Sequence, residues 1–242
     1  MSEQAAVTSP DGAGAEDGGR ERRVGWPEIG LAFLAAAVLY GLGIAIIWAL
    51  PEGRSELAGI VQYAVSGLAP LGAFAAVLWL RVKDPRLLGL RPVSGKWVLV
   101  SIGAGIGVIL LSIVVTIVVI TLTGPPSTVQ ADYQAAATGG VLSLLVALAV
   151  GAVLTPIGEE FLFRGVLATA LGRYGPWVAV LGSAAVFAVA HGINYILPVA
   201  FIVGVVAALL LRRTGSVWPG VIVHAINNGY SVIAPAILAA AL

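Results

Sequence analysis

Residues 141–171 read VLSLLVALAVGAVLTPIGEEFLFRGVLATAL, an apolar run that nevertheless carries Glu159, Glu160 and Arg164. About 20 apolar residues suffice for a helix that crosses a bilayer, and this run exceeds that. Ionisable groups at membrane depth are costly, so they face a protein interior or a water-filled cavity rather than lipid. Only two histidines occur in the 242 residues, His191 and His224, and both also lie inside apolar runs. Two carboxylates, one arginine and every imidazole of the chain share this setting. That marks a functional site inside a membrane protein.

Composition agrees. The chain is 59% hydrophobic and 10% charged, with a mean hydropathy of +1.01, whereas soluble domains carry about 25% charged residues. The expected fold is all-α: a polytopic membrane helix bundle of about seven transmembrane helices, at 29–50, 57–80, 97–123, 141–171, 177–192, 195–211 and 217–242. Thr155-Pro156 is expected to kink the fourth, and the fifth is short enough for a re-entrant segment. Residues 1–23, rich in Gly, Ala and acidic side chains, read as a disordered cytoplasmic tail and not as a signal peptide. Residues 24–242 form the membrane domain, with the polar motifs confined to 141–242. The absence of cysteine excludes disulfides, thiolate metal sites and a cysteine nucleophile.

Orientation follows from the basic loops. Arg20, Arg22 and Arg23 precede span one; Arg81, Lys83, Arg86, Arg91 and Lys96 separate spans two and three. Arg173 follows span four, and Arg212 with Arg213 follows span six. The opposite loops hold Arg54 alone. Seven spans put every dense basic loop on one side, with the N-terminus in the cytoplasm and the C-terminus outside. All six tryptophans fall at span ends, as an interfacial aromatic belt requires. The expected setting is a prokaryotic plasma membrane, with lipid as the surroundings. A net charge of +1, with its basic residues in short topogenic loops, gives no reason to expect a nucleic-acid partner.

The polar groups also match in depth. Glu159 lies 16 residues before Gly175 and His191 lies 16 after it, so on an antiparallel hairpin both sit about 24 Å from one turn. Glu160 and Arg164 are one helical turn apart and suit an ion pair. Glu159 is rotated by about 100° from Glu160 and has no such partner. That leaves it suited to general-base work. His224 and Asn228 share a face of the last span, and Phe187 lies one turn before His191. A carboxylate with two imidazoles can activate water directly or through a zinc ion, or can relay protons in a transporter. There is no HExxH, no GxSxG elbow and no Walker A pattern.

Three motifs carry a resemblance to a known family. Glu159-Glu160-Phe161-Leu162-Phe163-Arg164 resembles the EExxxR motif of the CAAX-protease and bacteriocin-processing (CPBP, or Abi) intramembrane proteases. Phe187-Ala188-Val189-Ala190-His191 resembles its FxxxH motif, and His224-Ala225-Ile226-Asn227-Asn228 its HxxxN motif. The resemblance implies a helical bundle with a cavity open towards the cytoplasm, and an intramembrane endopeptidase acting on a membrane-associated peptide or protein. It implies that Glu159 and His191 activate water, that His224 and Asn228 stabilise the oxyanion, and that Glu160 and Arg164 support the site. The metal, if one is used, is a divalent zinc ion on Glu159, His191 and His224; a metal-free glutamate mechanism is the other route. Two non-proteolytic readings use the same cavity: a proton-coupled transporter, and an inactive scaffold or bacteriocin-immunity protein.

Overall fold

A computed structural model describes residues 24–124 and 130–241. The expected tail, residues 1–23, lies outside the described residues, as do residues 125–129 of the loop after the third span.

With no water available to hydrogen-bond its backbone, an apolar chain in lipid must satisfy its amides within each segment, which is why these runs are helical. The helices are α1 (Trp26–Trp48), α2 (Ser55–Val82), α3 (Gly95–Thr123), α4 (Ala131–Thr138), α5 (Val141–Tyr174), α6 (Val178–Ala190), α7 (Leu197–Thr214) and α8 (Trp218–Ala241). Six are long and apolar enough to cross a membrane, and α6 is the shorter apolar helix that the sequence had marked as irregular. The bundle of about seven apolar helices is therefore present. The described part of the loop before α5 folds into α4 and packs against α2 and α8. Outward-facing Leu99, Leu110, Leu122 and Val141 leave an apolar surface for lipid. Trp26, Trp48, Trp79, Trp177 and Trp218 are all exposed.

α5 runs unbroken through Pro156, which sits at the start of its regular stretch Thr155–Glu160. Proline lacks the N–H of a regular helix, and the turns at Leu148–Leu154 and Phe161–Ala168 are π-helical. Thr155 Oγ1 donates 3.0 Å to Val150 O across the widened turn, and also lies 3.0 Å from Tyr63 O of α2 and 2.9 Å from Ser66 Oγ. Gly158 sits directly against Gly67 O, where a β-carbon would collide with the backbone. Small residues permit such close approach between membrane helices. This glycine contact presses α5 onto α2 immediately before Glu159 and so fixes the depth of the carboxylate.

Candidate active site

Glu159, Glu160 and Arg164 come from one stretch of α5, His191 from the end of α6 and His224 from α8. The structure brings all five together. Glu160 Oε1 accepts a hydrogen bond from His224 Nδ1 at 3.1 Å and lies 3.1 Å from Arg164 Nη1 in an ion pair. Glu160 and Arg164 are wholly buried. The guanidinium also lies over the Phe187 ring, with Cζ 4.4 Å from its centroid. Phe187 meets His191 edge-on at 4.6 Å and His224 at 5.5 Å. One ring thus wedges against both imidazoles and the arginine.

Glu159 points the other way, as its 100° offset requires. Its Oε2 is buried and has no hydrogen-bond partner among the described residues. It lies 3.6 Å from His224 Nε2 and 3.9 Å from His191 Nε2. The far nitrogen of each ring is held. His191 Nδ1 donates to Phe187 O at 2.9 Å, and His224 Nδ1 donates to the Glu160 carboxylate. A carbonyl and a carboxylate only accept, so in the neutral rings both protons sit on Nδ1 and both Nε2 atoms face Glu159 with a lone pair. His191 is the accessible member, its side chain 28% exposed against 7% for Glu159 and 4% for His224.

This donor set also bears on a metal. Two imidazoles oriented through Nδ1, one of them by a carboxylate, and a free carboxylate oxygen suit zinc in kind and direction. Among the described residues no three such groups are already gathered into a metal centre.

Asn228 is placed differently from the rest. Its Nδ2 donates to Gly151 O of α5 at 3.1 Å, which secures α8 to the widened turn and leaves one amide N–H uncommitted. Asn194 closes the turn after α6, donating to His191 O and accepting from Ile196 N, both at 2.8 Å. Two phenols that the motifs did not indicate, Tyr40 of α1 and Tyr133 of α4, stand within electrostatic reach of Glu159. Tyr133 is set there by a tilted ring contact with Tyr63, centroids 4.4 Å apart, and by the neighbouring Gln62–Asp132 hydrogen bond of 2.8 Å. A tyrosine in a stretch of small and polar residues was the only trace of this in the sequence.

Glycine sets the approach of α8. A β-carbon at Gly220 would lie 2.7 Å from Glu160 Oε2 and 3.0 Å from Ala207 Cβ, whereas one at Gly229 would meet nothing closer than 3.9 Å. Gly220→Ala is therefore expected to destabilise the chain by about 1–3 kcal/mol through overpacking, and Gly229→Ala to be nearly neutral. Thermal unfolding of the two purified variants checks this; equal melting temperatures would show that α8 yields freely.

No curated protein and no solved structure gives a significant match to this chain. Residues 141–230, which hold Glu159, Glu160, Arg164, His191, His224 and Asn228, match the family model of the type II CAAX prenyl endopeptidases, Rce1-like, in agreement with the resemblance carried by the three motifs.

Proposed function

We propose that the chain is an intramembrane endopeptidase that hydrolyses a peptide bond of a membrane-associated protein or peptide, with Glu159 as general base. The observation that carries this reading is the buried, unpartnered Oε2 of Glu159 facing two Nε2 atoms whose rings are locked from behind. A single water placed against these three atoms is oriented and stripped of competing partners. Glu159 takes its proton as the oxygen attacks the carbonyl carbon, and later returns that proton to the leaving nitrogen as the C–N bond breaks. His191, the accessible ring, orients the water. A proton taken up from solvent on His224 Nε2, balanced by the Glu160 carboxylate at Nδ1, would convert that atom from acceptor to donor for the oxyanion, and the free N–H of Asn228 adds a second donor. A zinc ion held by Glu159, His191 and His224 would supply Lewis-acid activation of that water. Glu160 and Arg164 touch no reacting atom in this scheme and act by holding His224.

The test begins with substrate. Membranes of cells expressing the wild-type chain and the His191→Ala variant are compared for new peptide termini, and the best substrate is then cleaved by purified, reconstituted protein. His191→Ala is expected to lower cleavage about 100-fold with an unchanged melting temperature, since positioned acid–base groups contribute roughly 10²–10⁴-fold. Full turnover by this variant removes His191 from the mechanism, and identical termini in both membranes count against proteolysis.

A further inference from the structure

A cavity of about 430 Å³ opens at the end of the bundle where the basic loops gather. Three arginines line it: Arg86 of the turn Pro85–Leu88, Arg91 ahead of α3, and Arg212 in the last turn of α7. Beneath them the wall is apolar, including Ala168, Ala208 and Leu211. No carboxylate of the described residues lines the cavity. The neighbouring Asp84 is turned to accept from the backbone of Arg86 at 2.9 Å.

These walls are tied together. Val217 N donates to Gly89 O at 3.0 Å and Ser216 Oγ to Arg91 O at 2.6 Å, which joins the segment before α3 to the α7–α8 connection. Arg91 Nε donates to Arg86 O at 3.0 Å, and Arg212 Cζ lies 5.7 Å above the Trp177 ring. A topogenic role needs basic residues on one side of the membrane and nothing more. Lys83 and Arg213 fill that role without lining the cavity. Convergence of Arg86 and Arg91, five residues apart, with Arg212 from a distant helix on one cavity needs another explanation.

We propose that this cavity binds the phosphate headgroup of an anionic phospholipid from the adjoining leaflet. Guanidinium forks match phosphate oxygens in geometry and charge, and basic pockets between membrane helices recognise anionic headgroups. The apolar wall and the exposed Trp177 beside Arg212 place the phosphate at a lipid interface, which favours a lipid over free phosphate. Binding here ties α5, α6 and α7 to the segment before α3, independently of what the buried carboxylates do.

The full chain in a neutral detergent is titrated with phosphatidylglycerol, with phosphatidylcholine of the same acyl chains, and with inorganic phosphate. Phosphatidylglycerol is expected to raise the melting temperature saturably, and the other two to leave it unchanged. R91Q/R212Q should weaken phosphatidylglycerol binding at least tenfold, while K83Q/R213Q, with the same loss of charge outside the cavity, stays within twofold. R86Q alone should weaken it at least threefold, and decides the matter if the double variant does not fold. Unchanged binding in R86Q or R91Q/R212Q overturns the proposal. An equal loss in K83Q/R213Q reduces it to general surface charge, and equal stabilisation by inorganic phosphate makes the ligand a free anion; either result also overturns it.

Discussion

Glu159→Gln is expected to leave the bundle folded and to lower peptide-bond cleavage roughly 10²–10⁴-fold, the contribution of a positioned general base. That fall corresponds to roughly 3–5.5 kcal/mol of transition-state stabilisation. The substitution preserves volume and removes only the ability to accept and return a proton. Because Glu159 Oε2 has no hydrogen-bond partner among the described residues, its replacement breaks no bond that supports the fold. Parallel measurement of kcat/KM and of thermal unfolding on reconstituted protein separates the two effects. Cleavage within threefold of wild type would transfer the proton to another group and remove the central claim of the mechanism. A pH-gradient-driven flux lost in the same variant, with no cleavage in either protein, would point instead to proton transport.

Much of this arrangement was legible in the sequence, for reasons that differ from residue to residue. The spans were readable because lipid leaves an apolar chain few alternatives to a helix. The meeting of Glu159 with His191 followed from counting 16 residues each way from Gly175, and the pair lies 3.9 Å apart. The Glu160–Arg164 contact followed from helical spacing alone and is present at 3.1 Å. What could not be read was rotation between helices. His224 shares a helix face with Asn228, yet it sits between the two glutamates while Asn228 reaches Gly151. That choice depends on Gly220 letting α8 approach Glu160 and on the widened turns of α5, and neither has a periodic signature. The helix α4 was illegible for a related reason: eight residues, small or polar apart from Tyr133, have little helical pattern of their own and fold by packing against α2 and α8.

Arg164→Ala should be the most destabilising single change at the site, costing about 3–5 kcal/mol, because it leaves a carboxylate buried without its cation. Glu160 is wholly buried and would keep only His224 as a partner. The contact of the guanidinium with the Phe187 ring at 4.4 Å is lost as well, and with it part of the wedge that holds both imidazoles. Glu160→Gln/Arg164→Met removes both charges together, and should recover most of that loss, since a neutral pair of similar volume has no buried charge to compensate. Unfolding of wild type, Glu160→Gln, Arg164→Met and the double variant closes a cycle whose coupling energy measures the pair directly. A double variant no more stable than Arg164→Ala would mean that the two charges do not support each other. Activity should follow a different course. The amide that replaces the Glu160 carboxylate still accepts from His224 Nδ1 but could not balance a positive charge on that ring during the reaction, so stability should return while cleavage does not. A double variant that recovers both would confine Glu160 to the scaffold and leave the oxyanion to Asn228.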